Sequence, residues 1–210
     1  MTSPSEAAGI KPVPGATPKG KATRARLLEA AQAELRDHGR LEIADVAATA
    51  GVAQSVIYRY FGNKAGLVEA TVSDFYDDYD RTVFMADLAP QASWWDREAL
   101  RVSHEVAFLY DHPLGKRVAS GLLHDASATR IDAERTRQHA AMAAKNIRKG
   151  QASGELLAKV NPDLAGAAII GALRTTLAAA LSLPKPPSRR EVVATVLTMS
   201  EPLLQPRRPD

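Results

Sequence analysis

Apolar side chains recur at helical spacing along most of the chain, and the densest such pattern lies in residues 43–64, IADVAATAGVAQSVIYRYFGNK. Ile43, Val46, Ala47 and Ala50 stand at i, i+3, i+4 and i+7, which is one apolar face of a short helix. Gly51 follows where that pattern stops, at a helix end that needs positive φ. Val52 is a buried-type residue in the turn, and a second short helix is predicted through Tyr60, with Ile57 and Phe61 one turn apart on its core side. Its opposite side carries Gln54, Ser55, Tyr58 and Arg59: an amide, a hydroxyl, a phenol and a guanidinium. Such groups read base edges and hold phosphates. A polar helix propped on a small-residue helix is the pattern of a helix-turn-helix.

The flanking segments complete an all-α reading. Leu27, Leu28, Ala31 and Leu35 form the stripe of a first helix from Thr23, its expected N-cap, to about His38, and Gly39 stops it. Asn63 caps a long fourth helix beginning at Lys64, where Val68, Val72, Phe75 and Tyr79 recur at i, i+4, i+7 and i+11. Further helices are predicted at 93–110, 113–124, 127–150, 162–183 and 189–203, between Pro- and Gly-rich breaks. That makes about nine helices, in an N-terminal three-helix helix-turn-helix domain followed by a C-terminal helical domain. The division expected is a disordered basic tail over 1–20, a DNA-binding domain over 21–66 and a helical ligand-binding and dimerisation domain over 67–205. In the tail, Lys11 and Lys19, with Lys21 just beyond it, are either a basic arm or part of a solvated leader.

Composition narrows the function classes. The chain has 210 residues, 45% of them hydrophobic and only 5% aromatic, and strand-type residues are sparse. The net charge of +3 is mild, but residues 11–64 hold nine Lys or Arg against five acids. A surplus at the candidate DNA-binding end is the expected electrostatic footprint. There is no cysteine, hence no disulfide framework or thiolate metal site. The five histidines (38, 104, 112, 124 and 139) lack ligand-type spacing, and the Asp77-Asp78-x-Asp80 group reads as a solvated helix face. No phosphate loop, nucleophile elbow or zinc motif is present, so neither an enzyme, a metal nor a cofactor is expected. The start of the chain has no apolar leader, and the longest apolar stretch, Leu164–Leu183, is interrupted by Arg174 and Thr175–Thr176. A cytoplasmic protein with no membrane partner is the default expectation.

The order of features resembles the TetR family of bacterial transcriptional regulators. The resemblance rests on the first helix, then Val46-Ala47, Ala50-Gly51-Val52, Ile57-Tyr58, Tyr60-Phe61, Lys64 and Leu67. It implies that Gln54, Ser55 and Val56 face base edges and that Tyr58, Tyr60 and Lys64 hold phosphates. Elementary chemistry agrees: Gln pairs bidentately with adenine, Val touches a thymine methyl, and a lysine beside free helix N–H groups makes an anion site. Arg59 is either a phosphate contact or a partner for Asp45 or Glu42, and Tyr60 either holds phosphate or packs beside Phe61. One departure is visible. The loop Gly39-Arg40-Leu41-Glu42 is shorter than usual for the family and lacks the hydroxyl that caps the second helix, so its phosphate contact is lost or taken by Arg40.

The resemblance further implies a homodimer on a palindromic operator, acting as a repressor released by a small molecule. The last two helices have wide apolar faces with Gly166 and Gly171 nearby, and either pack against a symmetry mate or complete the core of the monomer. Phe75, Tyr79, Trp94, His104, Phe108 and His124 are the candidate ligand-binding residues, and as a group they suggest an apolar or aromatic effector. The competing reading is a small-molecule-binding or interaction protein with a degenerate helix-turn-helix, whose only support is the missing cap.

Overall fold

The computed structural model describes residues 17–88, 92–121, 125–157 and 159–207. Its first helix, α1 (Pro18–His38), starts earlier than expected. Pro18 suits a first helical position because its φ is preset and it has no N–H to leave unpaired. Thr17 is the cap, its hydroxyl accepting from the Gly20 N–H at 3.1 Å. Thr23 is not the cap: it lies inside the helix, donating to the Lys19 carbonyl at 2.9 Å. Lys19 and Lys21 therefore sit on α1, and Lys11 lies outside the described residues.

α2 (Ile43–Thr49) and α3 (Gln54–Phe61) follow, with α4 (Lys64–Tyr79) behind them. Gly39 ends α1 at φ +70° and Gly51 makes the turn between α2 and α3 at φ +64°, where a side chain would be strained. Asn63 caps α4 as its position predicts, accepting from the Gly66 N–H at 2.8 Å. Val68, Val72, Phe75 and Tyr79 are all buried, so the face read from the sequence is the face that packs. α4 contacts α1, α3 and α7, which makes it a shared element of the molecule.

Beyond Tyr79 the helix widens into a π-helical turn, Asp80–Phe84. The Asp80 carboxylate there lies 2.8 Å from Arg135 and 2.7 Å from Nε2 of His139. Asp77 pairs with Arg135 and Asp78 with Arg81. Asp77 and Asp78 thus stay on an exposed face as expected, while Asp80 is a largely buried ion-paired tie to α7.

The C-terminal part comprises α5 (Trp94–Asp111), α6 (Gly115–Ala119), α7 (Ala126–Ala152), α8 (Pro162–Ser182) and α9 (Arg189–Leu204). A capping box between Ser93 and Asp96 starts α5, and Ser188 caps α9. α6 is shorter than the 113–124 expected. The closest pair is α7 against α8: a Cβ on Gly166 would lie 2.7 Å from the Ala140 carbonyl oxygen and 2.8 Å from the Ala144 nitrogen. Gly166 therefore serves packing within the chain, whereas Gly171 faces open space.

Among the described residues α8 alone is long and apolar enough to cross a bilayer, with mean hydropathy 1.7. Its stripe of Ala165, Ile169, Leu173, Leu177 and Ala180 is buried, and its Arg174 pairs with Asp132 on α7. That is the pattern of a core helix. One cluster of buried side chains runs from Leu27 and Ile57 through Phe75 to Leu177 and Val196, so both ends of the molecule share a core.

Candidate nucleic-acid interface and ligand cavity

α3 is held by a single deep anchor. Ile57 is 0% exposed, while Val56, Tyr60 and Phe61 are half-buried against the same core. Its helical repeat then turns Gln54, Ser55, Tyr58 and Arg59 outward, and all four are exposed. Tyr58 is 49% exposed, unusual for a side chain of its size. The α3 N-terminus has no side-chain cap, leaving its first N–H groups open to an anion. α2 is tied to α1 by the Thr49 hydroxyl donating to Glu34 at 2.7 Å, and α1 to α4 by Gln32 donating to Asp74 at 3.0 Å. The polar face is therefore displayed on a braced frame.

Arg59 pairs with neither Asp45 nor Glu42; its guanidinium lies over the Tyr60 ring, 5.5 Å from the centroid. Tyr60 packs toward Phe61, the ring centroids 6.3 Å apart, so it is the less accessible phenol. Lys64, exposed in the first turn of α4, instead takes Glu42 at 2.8 Å. That hydrogen bond and the lysine's charge hold the Glu42 carboxyl below its usual range. Glu42 occupies the cap position of α2 without capping it, as the shortened loop implies.

The candidate ligand residues do not form one site. Phe75, Tyr79 and Phe108 converge, with Phe75–Phe108 centroids 5.4 Å apart and Tyr79–Phe108 5.5 Å. Trp94 belongs to a separate cluster with Ile147, Leu156 and Leu204, its indole N–H donating to the Asn146 carbonyl at 3.1 Å. His104 lies with Phe108 in an open groove beside His112 and Pro113, and its Nδ1 is buried with no hydrogen-bond partner. His124 lies outside the described residues.

A better-enclosed cavity of about 250 Å³ opens between α5, α7 and α8. Its apolar wall is Val102, Ile169, Ile170 and Leu173, and its polar wall includes Glu98, Arg101, Glu105 and Asn146. Glu98 is neutralised by Arg101 and receives the Asn146 amide at 3.1 Å. Glu105 is 4% exposed, and its hydrogen-bond partner is the Tyr79 hydroxyl, which donates to it. Burial pushes the Glu105 carboxyl up to about 7, partly opposed by that hydrogen bond, and burial also raises Tyr79 well above a normal phenol. The sequence reading missed Glu98, Arg101 and Glu105. Their spacing at i, i+3 and i+7, interleaved with Val102 and Leu109, was the available signal: charges set into an inward-facing stripe.

Comparison with known proteins agrees with this geometry. The family described as "Bacterial regulatory proteins, tetR family" matches residues 27–71. The HTH-type transcriptional repressor LfrR of Mycolicibacterium smegmatis is 32% identical over 87 residues, 41% of this chain and 41% of that protein. The chain thus aligns with about two fifths of that relative's length. In fold, the chain resembles the regulator FadR of Bacillus subtilis, solved with stearoyl-CoA, at TM-score 0.72 and 18% identity over 84% of this chain and 97% of that one. It also resembles AibR, solved with isovaleryl coenzyme A and operator DNA, at TM-score 0.64 and 16% identity over 88% and 99% of the two chains. Residues 27–71 thus match the helix-turn-helix of the TetR family of bacterial regulatory proteins, and the nine described α-helices are arranged as in FadR and AibR.

Proposed function

We propose that the protein is a ligand-responsive transcriptional regulator, a repressor that binds a palindromic operator as a homodimer and leaves it when a small molecule binds. The observation that carries this reading is the exposed row Gln54, Ser55 and Tyr58 on a helix anchored by the fully buried Ile57. In this reading Gln54 and Ser55, with Val56 beside them, meet base edges, while Tyr58, Arg59 and Lys64 grip phosphates, with Tyr60 a lesser contributor. Lys64 exchanges Glu42 for a phosphate when DNA arrives.

The domain division follows the same logic: a helix-turn-helix unit over 21–66, extended back to Pro18 by α1, and a helical effector and dimerisation unit over 67–205. Dimerisation is assigned to the outward faces of α8 and α9. There Leu164 (71% exposed) begins an uncovered row of Ala168, Gly171, Thr175 and Ala179, and Met199 stands exposed on α9. A two-fold pair sets recognition helices about 34–36 Å apart, one turn of duplex. The cavity between α5, α7 and α8, with its apolar wall facing a charged one, is the effector site. An effector releases DNA only by binding the splayed pair more tightly than the DNA-competent one. Such a regulator works in the cytoplasm.

Fluorescence anisotropy with the gene's own upstream duplex, titrated with salt, tests the reading. Three cations per protomer (Arg40, Arg59 and Lys64) predict a log–log salt slope of about −5, and Lys64→Ala should reduce it by about 2 per dimer. Binding that ignores salt, or an unchanged slope in Lys64→Ala, contradicts the assignment.

A further inference from the structure

The interior of the cavity is short of one positive charge. Two carboxyl groups line it, Glu98 and Glu105, against one partly buried guanidinium, Arg101, which Glu98 already holds. Arg174 comes near from α8 but is committed to Asp132, at 2.7 and 2.9 Å, and to the Tyr76 hydroxyl. Lys145 and Lys149, from α7, are exposed at the rim. α4 offers Glu105 only the phenol of Tyr79. A buried carboxylate without a cationic partner is costly, so Glu105 holds its proton up to about pH 7.

We infer that this cavity takes a hydrophobic amine, its ammonium paired with Glu105 and its apolar body lying along Val102, Ile169, Ile170 and Leu173. The inference rests on the effector reading above and names the class of effector. An ammonium supplies the missing charge, and Glu105 gives up its proton as the pair forms. A carboxylate ligand would add a negative charge beside Glu98 and Glu105. A neutral alcohol gains one ordinary hydrogen bond, the weaker kind. The volume, about 250 Å³, lies just below the usual range of ligand pockets, roughly 300–1,000 Å³, and so selects a small molecule. The position also carries a signal. The ammonium competes with Tyr79 for one carboxylate, and Tyr79 is the last residue of α4, whose first residue is Lys64 at the DNA-facing end.

Isothermal titration of the full chain without DNA tests this with three probes of one shape: 4-phenylbutylamine, 4-phenylbutan-1-ol and 4-phenylbutanoate. At about pH 8 the amine should bind about tenfold more tightly than the alcohol, and the carboxylate most weakly, the difference between a charge-assisted and a neutral contact. At about pH 6 the amine's advantage should shrink several-fold, because Glu105 must then lose its proton to pair. Glu105→Gln, nearly isosteric, should bring amine and alcohol within about twofold at either pH. Should that variant not fold, the pH comparison on the natural chain still decides. Alcohol or carboxylate binding as tightly as amine overturns the amine assignment while leaving the effector cavity standing. Silence from all three probes overturns both, and an amine preference that survives in Glu105→Gln overturns the role of Glu105.

Discussion

Replacing Ile57 by alanine tests how the recognition surface is held. Ile57 is the only fully buried side chain of α3, and its neighbours Val56, Tyr60 and Phe61 are only half-buried. The substitution removes three carbon groups at about 0.8 kcal/mol each, about 2.4 kcal/mol of transfer free energy. The space left behind cannot close fully, because Leu27, Val46 and Leu67 around the core are themselves locked in helices, which raises the loss to about 3–4 kcal/mol. The core is continuous from Leu27 to Val196, so the cost should register in the main unfolding transition rather than in a separate local melt. For a chain of this length the midpoint should fall by about 6–16 °C. Ile57→Val should cost only about 1 kcal/mol. Circular dichroism melts with urea titration give the stability, and anisotropy on the upstream duplex gives the binding. DNA affinity should fall together with stability and recover in Ile57→Val. A cost below about 1 kcal/mol with intact DNA binding would refute the idea that this side chain anchors α3.

Two further predictions concern the helical domain. Gly166→Ala should destabilise by about 1–3 kcal/mol in the same melt, because its methyl meets backbone atoms of α7 at 2.7 and 2.8 Å, and an unchanged midpoint would contradict that close approach. Glu105 gives a pH signature of known sign. Its folded carboxyl holds its proton up to about 7 whereas the unfolded one releases it near 4.5, so stability contributed by this group falls as pH rises between those values and then levels. Glu105→Gln should remove that fall, a difference of up to about 3 kcal/mol between pH 5 and pH 8 urea melts, and a parallel pH profile in the two proteins would contradict it.

The helix-turn-helix was legible because its determinants are local. Ile43, Val46, Ala47, Gly51 and Ile57 lie within 15 residues, and 3.6-residue periodicity alone separates the buried face from Gln54, Ser55 and Tyr58. The start of α1 was misread because Thr17 and Thr23 are both plausible caps, and only Pro18 at the first helical position separates them. The cavity was harder to read. Its walls come from α5, α7 and α8, and the ties around it join residues far apart in the chain, such as Tyr79 with Glu105 and Asp80 with His139. Of the large aromatic residues chosen as ligand contacts, Trp94 fills its own cluster and Phe75 joins the main core. The signal for the cavity lining lay in charges set within an apolar stripe, Glu98, Arg101 and Glu105.

The central claim is that the outward face of α3 reads DNA sequence. Selection of binding sites from a pool of random duplexes, run in parallel on the natural chain and on Gln54→Ala, tests it most directly. The natural chain should enrich an inverted repeat, and Gln54→Ala should keep that repeat while losing preference at one symmetry-related pair of base positions, a loss of about 1–3 kcal/mol of discrimination at each. An identical enriched motif from the two proteins, or none from the natural chain, would contradict the account.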